Sequence, residues 1–231
     1  MKKLLMLFML LCLNFLKINA KNSYTVIIDP GHGGIDGGAF CEGIKESDIN
    51  LNIGLKIRDV FKERGISTLM TRESDISLCE ERYHKKDDLI GRVNIINKTN
   101  ACFYLSIHLN IFKQTNVRGL EILYNDKNES SFTLASDIYN SYLKQFKYGR
   151  GIVKNRDLYL LANTNIPGCL IECGFLSNND ERELLISDDY QLELARIIAD
   201  GSIKYLSDKY SIWINDKKGT SKKLVPIFLN V

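Results

Sequence analysis

Two of the chain's three histidines close apolar runs. His32 stands in Asp29-Pro30-Gly31-His32-Gly33-Gly34 and His108 in Leu105-Ser106-Ile107-His108-Leu109-Asn110. The glycines around His32 let the backbone bend tightly and present the ring at a strand end. In open α/β folds ligands gather at the carboxyl ends of strands, where an imidazole can bind metal or transfer a proton. A hydrogen-bonding turn residue is the plain alternative. The stretch is not a phosphate loop, because the G-x-x-x-x-G-K-[ST] spacing is missing and no lysine follows the glycines. The third histidine, His84, lies among Arg82, Lys85 and Lys86 and reads as a solvated loop residue.

Two carboxylates extend the set. Glu172 interrupts the apolar run Gly168 to Cys173, and by strand alternation it shares a face with Leu170, opposite Cys169, Ile171 and Cys173. An acid there has either a buried ion-pair partner or a chemical task. Glu46 opens a segment whose Ile49, Ile53, Ile57, Val60 and Phe61 gather within about 120° of a helical wheel. Glu46 points the same way, inward, and needs a compensating partner or a metal. Two histidines and two carboxylates suit a divalent zinc site with three protein ligands and an open position, the fourth acid serving as a base. The separations of 14 and 62 residues between His32, Glu46 and His108 match neither a zinc finger nor an H-E-x-x-H helix. Spacing alone therefore does not establish the site.

The elements that must position these residues alternate along the chain. Strands are expected at Tyr24 to Asp29, Ile66 to Met70, Cys102 to His108, Gly119 to Tyr124, Leu158 to Leu161 and Gly168 to Cys173. Helical spacing covers Asp87 to Lys98, Glu129 to Gln145 and Asp189 to Leu206. Glu46 to Arg64 is also read as a helix, ended by Gly65, although Ile49, Leu51, Ile53, Leu55 and Ile57 alternate like a strand. Nineteen residues exceed normal strand length. The expected fold is α/β: a single domain with a mixed, mostly parallel sheet of about six strands, flanked by helices on both faces.

The whole chain has 231 residues, 45% hydrophobic and 26% charged, enough for one well-buried core and unlike a disordered chain. Its net charge of +3 comes from Lys2, Lys3 and Lys17, and beyond Ala20 there are 28 basic against 28 acidic residues. A large nucleic-acid footprint is thereby excluded. Residues 1–20 read as a signal peptide, with Lys2-Lys3, an apolar stretch from Leu4 to Leu16 and a small residue at Ala20. About thirteen apolar residues fall short of the roughly 20 that span a bilayer, which favours cleavage over anchoring. Beyond Cys12 the five cysteines are odd in number and sparse, and Cys169 and Cys173 read as core residues rather than soft-metal ligands. Residues 21–208 form the expected catalytic domain. Residues 209–231 form a C-terminal extension, either hairpin or tail, in which Pro226 disfavours a central strand.

The flanks of the four chemical residues resemble the zinc-dependent N-acetylmuramoyl-L-alanine amidases, bacterial cell-wall hydrolases. The resemblance rests on Ile28 to Gly34, Gly43 to Leu51 around Glu46 and Asn50, Ser106 to Asn110, and Ile171 to Asn178, in that order, and covers about Tyr24 to Leu206. Within the family the chain is similar to the short germination-specific branch of spore formers. Only nineteen residues, Glu73 to Gly91, separate Arg72 from Arg92, leaving no room for a long inhibitory helix. It departs from the pattern at Ser47, where a lysine is common.

The resemblance implies His32, Glu46 and His108 as zinc ligands and Glu172 as the catalytic glutamate. It implies cleavage of the amide joining the lactyl group of muramic acid to L-alanine in peptidoglycan, during spore cortex maturation with muramic δ-lactam formation. Asn110 could hold the substrate carbonyl or fix His108. Arg92 could meet a peptide carboxylate or pair with a nearby acid. The branch further implies export to the cell wall or forespore intermembrane space and an accessory spore-envelope protein that activates the enzyme. The competing readings are a non-catalytic wall-binding protein of the same fold and a zinc peptidase.

Overall fold

The computed structural model describes residues 24–79 and 84–210. The expected signal peptide and residues 211–231 of the expected extension lie outside them. A six-stranded sheet runs in the order β4-β1-β5-β8-β6-β7. Its members are β1 (Thr25–Pro30), β4 (Ser67–Met70), β5 (Phe103–Asn110), β6 (Glu121–Tyr124), β7 (Gly151–Lys154) and β8 (Gly168–Phe175). The first four in sheet order are parallel, while β6 runs antiparallel to β8 and carries β7 parallel to itself. A small hairpin, β2 (Phe40–Cys41) and β3 (Ile44–Lys45), turns through Glu42 and Gly43, both at positive φ.

Six helices occur among the described residues: α1 (Glu46–Glu63), α2 (Lys85–Asn97), α3 (Glu129–Gln145), α4 (Tyr159–Asn163), α5 (Asn179–Leu185) and α6 (Asp188–Tyr210). Alternation along the strands divides the core in two. Val26, Ile28, Leu105, Ile171 and Cys173 pack against α1, α3 and α6, whereas Ile27, Tyr104 and Leu170 pack against α2 and α4. Helices therefore cover both faces, as a mainly parallel sheet requires. Cys169 and Cys173 are buried free thiols of the first core layer, consistent with packing.

α1 forms where the isoleucine alternation competed with the wheel, because Ile49, Ile53, Ile57, Val60 and Phe61 together bury one face. α6 extends to Tyr210, four residues past the expected end at Leu206. The expected strand Leu158 to Leu161 is corrected: Leu158 is the N-cap of helix α4 and Tyr159 to Leu161 lie in it, with Leu160 and Leu161 turned into the core. A four-residue apolar run does not reveal its own period. The sixth strand is instead β7, a four-residue strand whose Val153 and Lys154 are exposed at the sheet edge, so its adjacent Ile152 and Val153 show no alternation to read.

The connections place a crevice. β1 leads through α1 to β4 on one side, and the chain returns through α2, on the opposite face, to β5 on the other side of β1. The carboxyl ends of β1 and β5 thus flank a topological switch point, where open α/β sheets bind ligands.

Candidate metal centre

His32 follows the end of β1 after one intervening residue, Gly31, and adopts φ of +60°, unusual for a residue with a side chain. The chain around it is tied down from several directions. Gly33 and Asp36 exchange backbone hydrogen bonds, and the Arg92 guanidinium donates to the His32 carbonyl at 2.7 Å. The Asp36 carboxylate accepts from His32 Nδ1 at 2.9 Å, orienting the ring. His108 projects from the end of β5, and its ring lies over Gly31, where a Cβ would come within 2.2 Å of it. Only glycine admits that approach. Gly38 serves Glu46 similarly: a Cβ there would lie 2.5 Å from Glu46 Oε2.

Glu46 opens α1 and sits between the two rings. Its Oε1 accepts from His108 Nδ1 at 2.9 Å, Asn50 Nδ2 at 3.1 Å and the Leu109 amide at 3.1 Å. Its Oε2 accepts from the Ala39 amide at 2.8 Å and lies 3.3 Å from His32 Nε2. Burial alone raises the Glu46 pKa, but the two imidazoles and these hydrogen bonds hold it well below the usual carboxylate range. Burial lowers that of His32, yet Glu46 and Asp36 outweigh it and raise the pKa above the ordinary imidazole value. One ligand atom each from His32, Glu46 and His108 lie within 4.8 Å of one another. Two imidazoles and a carboxylate form a donor set that borderline cations such as zinc accept.

Glu172 lies in register with His108 on β8 and lines the same cleft. Its Oε2 is buried and has no hydrogen-bond partner. Burial pushes its pKa up to about 7, and the charges of Glu46 and Glu121 add to the effect. The carboxylate beside the three converging donors is thus poised to exchange protons near neutral pH.

Arg92 is buried at 2% exposure. Its donors reach Asp88 and Asp29, both at 2.7 Å, and the carbonyls of Pro30 and His32. The structure displays the ion pair, one of the two roles the sequence left open for this residue. Asn110 Oδ1 accepts from the Ile111 amide at 2.8 Å, and its own carbonyl accepts from Leu176. Sequence reasoning gave no role to three contributors: Asp36, Asn50, which it named only as part of a motif, and Arg72. Arg72 donates to the carbonyls of Pro30, Gly31, Ser47 and Ser74. Asn50 carried a usable signal, since it stands four residues after Glu46 on one helix and therefore on the same face.

A doubly wound α/β domain with imidazoles and carboxylates converging beyond its strand ends defines a class of hydrolytic enzymes with a metal-ready centre. Residues 26–204 match the family model described as N-acetylmuramoyl-L-alanine amidase, and the chain belongs to that family of peptidoglycan hydrolases. It is 36% identical over 190 residues to the germination-specific N-acetylmuramoyl-L-alanine amidase of Bacillus subtilis strain 168, spanning 80% of each chain. Among solved structures it resembles the CwlD amidase of Clostridioides difficile in complex with the GerS lipoprotein. That match has 38% identity and a TM-score of 0.77, over 80% of this chain and 100% of that one. An N-acetylmuramoyl-L-alanine amidase from Clostridium difficile 630 matches with 34% identity and a TM-score of 0.73, over 81% of this chain and 99% of that one.

Proposed function

We propose that this chain is a zinc-dependent amidase that separates the lactyl group of N-acetylmuramic acid from the L-alanine of the stem peptide, acting in spore cortex maturation. The observation that carries the reading is the convergence of His32, Glu46 and His108 beside the unpartnered Glu172 in one cleft. In this reading the three converging residues hold zinc. When bound, zinc supplies Lewis-acid chemistry, polarising an amide carbonyl and making water nucleophilic near neutral pH. Glu172 receives the proton of the attacking water and returns it to the departing amine of L-alanine. Asp36 keeps the His32 ring turned toward the centre, while Asn50 and the Ala39 and Leu109 amides fix both oxygens of Glu46.

The cortex role is supported by the similarity to the germination-specific relative. The same reading has residues 1–20 removed on export toward the cell wall or forespore intermembrane space, with the mature chain starting at Lys21. No helix among the described residues is long and apolar enough to cross a membrane. An accessory spore-envelope protein belongs to the proposal, because the CwlD amidase was solved with a lipoprotein bound.

The test is mass spectrometry of defined muropeptides incubated with Lys21 to Val231, with and without zinc. Zinc-dependent release of an intact peptide beginning at L-alanine is the expected result. Release of fragments cut between amino acids would indicate a peptidase. No release from folded, zinc-loaded protein supplemented with the accessory protein would leave a wall-binding role.

A further inference from the structure

Glu172 is the last residue of β8 that pairs regularly on both sides. Toward β5 it faces His108, but the next pair is Asn110 with Phe175, so Cys173 and Gly174 together oppose Leu109 alone. Such a bulge is rare between parallel strands, and beside an active site it re-aims a side chain. Toward β6, Glu172 faces Glu121, where the register of those two strands ends. Past Glu172, β8 therefore has no ladder partner on the β6 side.

Glu181, in the first turn of α5, takes that place. Its Oε2 accepts from the Phe175 amide at 2.7 Å and its Oε1 from the Gly119 amide at 2.9 Å, so one carboxylate bridges the two chains where their own pairing stops. Phe175 closes the bulge, and Gly119 lies two residues before Glu121. Glu181 is 2% exposed, and a carboxylate so buried is costly unless its hydrogen bonds are made. Gly174 makes room for it, since a Cβ there would lie 2.8 Å from Glu181 Cδ. Glu181 touches the backbone of these segments rather than the cleft.

We propose that Glu181 is a positioning residue for the hydrolytic reaction: by holding the Phe175 and Gly119 amides it fixes the bulge that sets the Glu172 carboxylate beside His108. The inference rests on the amidase reading and deepens it with a residue outside the cleft on which the placement of the base depends. His32, Glu46 and His108 come from the loop after β1, from α1 and from β5, and are held by other bonds. Release of the clamp therefore displaces Glu172 more than the metal donors. A displacement of about 1 Å in a reacting group costs about 100-fold in rate.

Two variants open the clamp from opposite sides. Glu181→Gln keeps the shape but turns an NH2 group toward one of the two amides, donor against donor. Gly174→Ala keeps the carboxylate and crowds it from β8. In metal-free protein, amide hydrogen exchange read by NMR is expected to quicken at Phe175 and Gly119 in both variants, beyond any change at Ile171. In zinc-loaded full chain, with the accessory protein if required, turnover of a defined muropeptide counted per bound zinc is expected to fall about 10- to 100-fold, with KM and the zinc dissociation constant unchanged. A merely structural role would lower stability toward urea and leave turnover per bound zinc at the wild-type value, which overturns the inference. Unchanged exchange at both amides overturns it too, as does a loss of zinc affinity alongside turnover, because the clamp would then act on the metal donors. No hydrolysis by the wild type overturns the amidase reading and the inference with it, whereas an active wild type with undiminished turnover in both variants overturns the inference alone.

Discussion

His108 and Glu172 are register partners on the adjacent parallel strands β5 and β8, so their side chains leave the same face of the sheet side by side. Each is displayed by alternation: Ile107 and Leu109 flank the first, Ile171 and Cys173 the second, and all four enter the opposite core layer. The sheet thus sets a metal-ligand candidate beside the carboxylate proposed to carry the proton, without any loop having to close. Glu46 arrives from the other face, where the start of α1 reaches over the strand ends to the Leu109 amide.

Glu172→Gln is expected to retain zinc while hydrolysis falls by about 10²- to 10⁴-fold, the usual worth of a positioned general base. A second expectation separates function from fold. The folded pKa of Glu172, about 7, exceeds its ordinary 4.5. The folded state therefore binds the extra proton, and wild-type stability falls as pH rises from about 4.5 through about 7. Glutamine carries no such cost. Metal-free Glu172→Gln should match wild type at pH 4 and exceed it by about 2–3 kcal/mol at pH 8 in denaturant unfolding. An equal difference at both pH values would contradict the burial argument.

Arg92→Met would leave Asp29 and Asp88 buried without their cation. Breaking such a pair costs about 3–5 kcal/mol, which urea unfolding at pH 7 would register. The effect should shrink in acid. Burial raises the Asp29 pKa, but Arg92, Thr71 and Ser106 together hold it below 3.8. Its contribution is complete above 3.8 and is lost as pH falls through the lower folded value. Zinc affinity should fall as well, since Arg92 donates to the carbonyl of His32.

How much of this was legible in the sequence follows from what kind of signal each part carries. The core strands β1, β5 and β8 and the long helices announce themselves because burial on defined faces imposes a period on their residues. His32, His108 and Glu172 stand out as polar breaks in those periods. α4 was read as a strand and β7 was not read at all, because a short apolar run and a half-exposed edge strand have no period to read. Arg72 and Arg92 look like surface charges locally. Beside local partners such as Asp88 for Arg92 and Ser74 for Arg72, both reach carbonyls of β1 and its following loop, and Arg92 also the Asp29 carboxylate some sixty residues away, contacts that no local pattern records.

Gly31→Ala tests whether the glycine is there for the imidazole. Its Cβ would fall within 2.2 Å of His108 Cε1 and Nε2, so either the ring or the β1 loop must move. Overpacking of this kind costs about 1–3 kcal/mol. The sharper readout is zinc titration, in which affinity should drop because His108 can no longer keep its distance to Glu46. An unchanged zinc isotherm with lowered stability would show that the loop, and not the ligand, yields.

Asp36→Asn keeps the size of the group that receives His32 Nδ1 but removes its charge. Orienting partners of metal-bound histidines are worth about 10- to 100-fold in affinity, and a weakening near the lower figure is expected because the amide oxygen can still accept. The same change alters the proton balance. In the metal-free protein His32 is held protonated above its ordinary range by Glu46 and Asp36, so a cation that takes its place near neutral pH must expel that proton. Zinc binding at pH 7 should therefore release protons, measurable by calorimetry in buffers of different ionisation enthalpy. Asp36→Asn should release fewer, because its His32 is already closer to neutral. Identical release by the two proteins would mean that Asp36 orients the ring without governing its charge.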